Sequence, residues 1–261
     1  MRLKDKNFKL GLALGSGGAH GLAHLGAIKA FEEEGISFDM VAGCSIGSIV
    51  GALYAKGYSA NDMSSLLNEC GVFTAEYSIA LMTGKFSLVR LINSFTGGAH
   101  FSDLKKPFRA VATDLYGGKE FVFSSGDLAV ALAASSAIPP FKPIYCYGKV
   151  LVDGALLNFV PADLVKEMGA DFVLSINLGK GKDTNQSVKR ILDQIYPKNK
   201  IPLAVRSKKC YAFSDFVLEP DLSDFKAADI RKLDERYQIG YQVAKSNMQK
   251  IKDLIKSKRK Y

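Results

Sequence analysis

Residues 41–48 read Val41-Ala42-Gly43-Cys44-Ser45-Ile46-Gly47-Ser48, a G-x-S-x-G pentapeptide between two apolar runs. The run before it, 38–42, has the length and apolarity of a buried strand; the run after it, 46–56, reads as a helix of small and apolar residues. Ser45 is therefore expected on a sharp strand-to-helix turn. Gly43, Cys44, Ile46 and Gly47 form the elbow, where the glycines relieve crowding and the hydroxyl projects from the fold. The helix that follows aims free N–H groups and its positive dipole end at that hydroxyl, which favours an alkoxide or oxyanion. A merely structural turn is the competing reading of the same residues.

A second glycine cluster lies upstream. Residues 9–14 read as a strand, and the loop Gly15-Ser16-Gly17-Gly18-Ala19-His20-Gly21 follows it. Successive glycines let backbone N–H groups converge on a small anion without side-chain obstruction. A dinucleotide fingerprint would need glycine where His20 stands, and a phosphate-binding P-loop would end in G-K-S/T, with a lysine this loop lacks. An oxyanion loop and a plain tight turn remain.

The rest of the chain alternates. Helices are expected over 22–34, 61–70, 128–134, 186–195 and 237–256, and strands over 109–113, 120–123, 150–152, 171–177 and 216–218. Such alternation predicts an α/β fold, a three-layer sandwich with a mostly parallel central sheet covered on both faces. Residues 71–100 read as irregular and strongly apolar, either a lid or channel wall over the site or packed helices; 179–187 reads as a surface loop. The 261 residues suit one domain, 48% hydrophobic and 23% charged, which excludes a disordered chain.

Cys44, Cys70, Cys146 and Cys210 are dispersed, with no C-x-x-C pair, so neither a zinc site nor a disulfide framework is expected. Reduced thiols suit a cytoplasmic setting. The apolar run 10–14 is too short for a signal peptide or a span, and the expectation is a soluble protein. The net charge of +9 is confined to one part of the chain. Residues 1–179 hold 15 Lys/Arg against 16 Asp/Glu, whereas 180–261 hold 20 against 10. A basic third fits contact with an anionic membrane surface or a solvated face; no basic-aromatic interleaving or helix-turn-helix pattern supports nucleic acid.

Acyl transfer needs a nucleophile, a base and oxyanion donors. His20, His24 and His100 all precede the candidate acids, so the common serine, acid, histidine order is absent. His24 shares a helix face with Leu25 and Ile28 and reads as a buried, satisfied histidine; His100 reads as a solvent-facing loop residue. A carboxylate is left as base. Asp153 closes an apolar strand and precedes glycine, a position suited either to a site or to capping its own turn.

The ordered set of Gly15 to Gly21, Gly43-Cys44-Ser45-Ile46-Gly47, Ala134-Ser135 with Pro139, and Asp153-Gly154-Ala155 resembles the patatin-like phospholipase family over about residues 8–178. Phe101-Ser102-Asp103-Leu104 and Ala112-Thr113-Asp114-Leu115 resemble it too. The resemblance implies a Ser–Asp dyad, with Ser45 as nucleophile and Asp153 as general base. It implies an oxyanion hole at Gly15, Ser16, Gly17 and Gly18, and lipid acyl hydrolysis with no metal or cofactor. Two positions depart from the family. His20 replaces the usual Arg or Lys, a weaker anion partner and a source of pH dependence near neutrality. Phe159 stands where Asn is common before Pro161, a change expected to alter a loop contact more than the chemistry.

The expected function is a serine lipid acyl hydrolase, of phospholipase A or esterase type, acting on a lipid or acyl-ester substrate. A non-catalytic membrane-surface or regulatory protein on the same scaffold, and an esterase or thioesterase for soluble acyl groups, are the alternatives. In the basic extension 180–261, Tyr241, Ala244, Met248, Ile251 and Ile255 form one apolar stripe. Lys245, Lys252, Lys256, Lys258, Arg259 and Lys260 supply charge. That helix either lies on anionic lipid or docks its stripe on the sheet with its lysines in solvent.

Overall fold

In a computed structural model, residues 8–71, 74, 87–179, 185–205 and 208–259 are described. They build one eight-stranded sheet. Strand β1 (Leu10–Leu14) lies at its centre, between β2 (Met40–Cys44) and β7 (Phe172–Ile176), with β3 (Phe108–Asp114) beside β2 and β8 (Phe216–Leu218) beside β7. These five run parallel. All of β1, β2 and β7 is buried, so they read as continuous apolar runs with no polar alternation.

The remaining strands decide where the site forms. Strand β4 (Lys119–Phe123) pairs antiparallel with residues 110–114 of β3, and the turn at Gly117-Gly118 joins them. On the opposite edge, β2 pairs with β3 only as far as Cys44↔Val111. Strand β6 (Lys149–Asp153) then takes over that same edge, antiparallel, starting at Ala112↔Asp153. Thus β2 and β6 meet end to end along β3, and the end of one faces the end of the other. Strand β5 (Ile144–Cys146), which the sequence reading missed, pairs antiparallel with β6.

Alternate side chains separate the two faces. Leu10, Leu12 and Leu14 enter the larger core with α1 (Leu22–Glu33), α2 (Ile46–Lys56), α3 (Ala60–Glu69), α4 (Leu88–Thr96) and α5 (Leu128–Ser136). Ala13, Ala42 and Val173 face the thinner opposite layer, covered by α6 (Ala162–Glu167) and Cys210 of α8 (Lys208–Phe213). A third cluster forms where Leu192 of α7 (Gln186–Ile195) meets Leu115, Val152, Leu156 and Ile201. Three layers are therefore present, as expected. In the segment expected to be irregular, α4 occupies 88–96, and residues 72, 73 and 75–86, where a lid was expected, lie outside the described residues.

The terminal helix α9 (Leu233–Arg259) buries Gly240, Ala244, Met248, Ile251 and Ile255, so the apolar stripe is used inside the fold. Its main support is α1, not the sheet that the sequence reading favoured. Two glycines permit the crossing. A β-carbon on Gly26 would lie 2.0 Å from the Tyr237 carbonyl oxygen, and one on Gly240 would lie 2.0 Å from that of Ala23. Nor are all the lysines left in solvent. Lys245 and Lys252 reach Glu34 at 3.0 and 2.6 Å, and Lys258 pairs with Asp215. Arg259 stacks on Phe8 at 5.3 Å, and Lys260 lies outside the described residues.

Candidate active site

Ser45 stands between β2 and α2 with φ 53° and ψ −127°, a conformation that costs a non-glycine residue on the order of 1–3 kcal/mol. The surroundings hold it there. Its N–H donates to Ser135 Oγ at 2.9 Å, and Ser135 Oγ donates onward to the Val111 carbonyl at 2.7 Å. Its carbonyl accepts from Ser48 Oγ at 2.6 Å and from the Ser48 N–H at 2.8 Å, which starts α2. The flanking glycines allow close approach: a β-carbon on Gly47 would sit 2.3 Å from the Leu14 carbonyl oxygen, and one on Gly43 2.3 Å from that of Gly47. Helix α2 therefore starts directly over the end of β1, with Ser45 8% exposed.

Asp153 arrives from the other direction, at the end of β6, and is 1% exposed. Its Oδ1 accepts the Ala155 N–H at 2.8 Å and lies 3.8 Å from Sγ of Cys44, the residue before the serine. The first contact is the turn cap that any Asp-Gly can make. The second follows from the end-to-end meeting of β2 and β6. Its main chain is fixed as well, with its N–H on the Ala137 carbonyl at 3.1 Å and its carbonyl receiving Thr113 Oγ1 at 3.0 Å.

The glycine loop is braced on several sides. Gly15 donates to the Ile176 carbonyl at 3.0 Å and Ser16 to that of Phe159 at 3.0 Å; Ala19 donates to Ala227 at 2.8 Å and His20 to Gly17 at 3.1 Å. His24 Nε2 donates to the Gly15 carbonyl at 2.7 Å. Gly15 and Ser16 thus spend their amides on holding the loop. Among the described residues no hydrogen bond engages the N–H of Gly17 or Gly18, the two positions of the loop that reach solvent. Phe159, the departure from the family pattern, serves through its carbonyl, while its ring closes over Gly179.

Burial drives the pKa of His24 down to about 4, against a smaller upward effect of the Gly15 carbonyl. It is the buried core histidine the sequence suggested, though only Nε2 is satisfied and Nδ1 has no hydrogen-bond partner among the described residues. His100 is exposed, also as expected. His20 lies in the interior at 2% exposure and lines a cavity of about 310 Å³ with Leu178, Pro220, Leu222 and Phe225. Among the described residues no three His, Cys, Asp or Glu are grouped to hold a metal ion. The Ala227 brace is the contribution that sequence reasoning missed. A backbone carbonyl more than two hundred residues from the loop it supports leaves no signature in residue type.

The family model for patatin-like phospholipases matches residues 12–166. This chain belongs to the patatin-like phospholipase family. Patatin-like phospholipase domain-containing protein 6 of Mus musculus is 31% identical across 91% of this chain and 20% of its own length. Lysophospholipase NTE1 of Coccidioides immitis is 28% identical across 94% of this chain and 18% of its own. The chain thus spans about a fifth of the length of these patatin-like relatives. Among solved structures, human GIVD cytosolic phospholipase A2 superposes with a TM-score of 0.56 at 11% identity, covering 99% of this chain and 61% of that one. VipD from Legionella pneumophila superposes at 0.56 and 15%, covering 96% and 67%. At such identities the likeness is one of fold, the mixed α/β sandwich seen here.

Proposed function

We propose that this protein is a serine lipid acyl hydrolase in which Ser45 and Asp153 form the catalytic dyad. The observation that carries this reading is the end-to-end meeting of β2 and β6, which sets the elbow and the buried carboxylate together beside a glycine loop. Family membership makes carboxylic ester hydrolysis the reaction to expect, and a lipid ester the substrate class.

The reaction then runs through an acyl-enzyme. Ser45 Oγ attacks the ester carbonyl carbon while its proton passes to Asp153. The oxyanion of the tetrahedral intermediate is held by the N–H groups of Gly17 and Gly18 and by the start of α2. Collapse expels the alcohol, which takes the proton back from Asp153. Water, deprotonated by the same carboxylate, releases the fatty acid. Gly15 and Ser16 act as the scaffold of the oxyanion loop. His20 would sense anionic groups only from inside its cavity. We further propose that residues 180–261 are part of one unit with the motif-bearing core, since the Ala227 carbonyl braces the loop and α9 is seated on α1. The setting proposed is cytoplasmic with peripheral contact at an anionic membrane. Among the described residues no helix is long and apolar enough to cross a membrane.

The test is labelling with a fluorophosphonate probe in the wild type, Ser45→Ala and Asp153→Asn, with circular dichroism to confirm folding. Labelling that vanishes in Ser45→Ala and drops at least 100-fold in rate in Asp153→Asn is expected. A folded wild type that does not label overturns the proposal.

A further inference from the structure

We infer that the solvent-facing side of α7, together with the segment bonded to its start, is the surface by which this protein seats on an anionic phospholipid bilayer. Helix α7 fully buries only Leu192. Ile191 and Ile195, four residues apart and therefore on one face, are 46% and 53% exposed. Leu203 and Val205 are 62% and 55% exposed in the segment tied to the start of the helix. There Asn185 donates its N–H to the Ala204 carbonyl at 3.2 Å and its amide nitrogen to that of Pro202 at 2.9 Å. Exposed aliphatic side chains of this kind, four within fifteen residues, are what enters the interfacial zone of a bilayer.

Charge selects the partner. Residues 186–205 carry Lys189, Arg190, Lys198 and Lys200 against a single acid, Asp193, whose pairing with Lys189 at 2.8 Å leaves Arg190, Lys198 and Lys200 as the positive surplus. Anionic headgroups complement that set, as a neutral or cationic partner would not. The terminal helix, the other basic amphipathic element among the described residues, has its stripe buried on α1 and Lys245, Lys252 and Lys258 paired with carboxylates, whereas Ile191 and Ile195 of α7 stay exposed.

The place is apt as well. Leu192 packs with Val152 and Leu156 on either side of Asp153, and the Asn185 amide nitrogen donates to the Leu156 carbonyl at 2.8 Å. The surface is therefore borne by a helix packed on the strand that ends at Asp153. The purpose assigned to this surface rests on the lipid-hydrolase reading, and the experiment separates the two.

The whole chain, the Ile191→Asp/Ile195→Asp variant and the Leu203→Asp/Val205→Asp variant are sedimented with vesicles of mixed phosphatidylglycerol and phosphatidylcholine, and with phosphatidylcholine alone. Hydrolysis of water-soluble p-nitrophenyl butyrate is followed in parallel, with Leu254→Asp on α9 as the control. Wild type should partition onto the anionic vesicles, weakening steeply as salt rises. Each double variant should lose ~10-fold or more of that partitioning while keeping its circular dichroism and its soluble-ester rate. Leu254→Asp should match wild type. Double variants that partition like wild type, a wild type that binds neither vesicle, or a face that instead joins two copies of the chain in light scattering would each overturn the inference. Lost partitioning in a protein with no Ser45-dependent ester hydrolysis would keep the surface and remove the hydrolase reading.

Discussion

His24 and Gly15 are joined by one short hydrogen bond, imidazole Nε2 to carbonyl oxygen at 2.7 Å, inside the larger core. A carbonyl can only accept, so Nε2 carries a proton, and burial, which lowers the pKa to about 4, keeps the ring neutral near pH 7. The bond holds the carbonyl of the first residue of the glycine loop while the Gly15 N–H is held by Ile176. The loop therefore has a fixed base from which Gly17 and Gly18 project.

That arrangement makes stability depend on acid. The folded-state pKa of His24 is about 4, and the unfolded side chain titrates near 6.5. Between those values the unfolded chain binds a proton that the folded chain refuses, so stability is complete above pH 6.5 and is lost as pH falls towards 4. The loss should reach about 3 kcal/mol. Urea midpoints from pH 7 to 4.5 should fall in the wild type and fall less in His24→Gln, which keeps an N–H donor but does not titrate. Equal slopes in the two proteins would show that other groups carry the acid sensitivity.

Ser135 holds the backbone of Ser45, the proposed nucleophile. Its hydroxyl receives the Ser45 N–H and donates to Val111, so Ser135→Ala leaves one buried donor and one buried acceptor unpaired. A cost of roughly 1–3 kcal/mol is expected. With that tie gone the Ser45 backbone can relax from its positive φ, and fluorophosphonate labelling should slow by on the order of tenfold. A stability loss with unchanged labelling would limit Ser135 to packing.

The α1–α9 crossing reverses a familiar expectation. On an exposed helix, glycine to alanine stabilises by roughly 1 kcal/mol. Here the added carbon on Gly26 or Gly240 meets a carbonyl oxygen of the partner helix, and backbone must move apart. Gly26→Ala and Gly240→Ala should each destabilise by about 3 kcal/mol, seen as a lower midpoint in thermal or urea unfolding. Removing residues 233–261 should leave a chain that does not fold, because α9 covers the α1 face at Ala23 and Gly26.

The features legible in sequence were those with local chemistry. The elbow at Gly43-Cys44-Ser45-Ile46-Gly47 and helix 46–56 carry their own periodicity, and β8 at 216–218 is an uninterrupted apolar triplet. Asp153 was legible as a strand end, but which strand end it faces was not. A parallel sheet places its sites at carboxyl ends, whereas β6 runs antiparallel and reaches the site by meeting β2 head-on. Strand β5 was missed because Ile144, Tyr145 and Cys146, with Tyr145 75% exposed, make neither an apolar run nor a long enough alternation to register. Asn185, inside an expected surface loop, is buried because its amide bonds Leu156 and Pro202 carbonyls, partners that only the fold brings near. The terminal stripe was legible, but not its partner, since one apolar face does not say which other face will cover it.

The last prediction separates backbone strain from oxyanion support. Gly18 has φ +57°, and a β-carbon there would lie 2.6 Å from the Ala227 carbonyl oxygen. Gly18→Ala must therefore either twist the loop, moving the N–H groups of residues 17 and 18, or push away the 227 segment whose carbonyl braces the loop at Ala19. If these amides hold the oxyanion, labelling by the fluorophosphonate should fall by ~100-fold or more, the scale of losing one such donor. Gly35, at the end of α1, is the matched control: its φ is +67° and nothing lies within 4 Å of an added carbon. Gly35→Ala carries the backbone strain alone, about 1 kcal/mol, and should label at the wild-type rate. Equal labelling in both variants would remove Gly17 and Gly18 from the chemistry and turn attention to the first amides of α2.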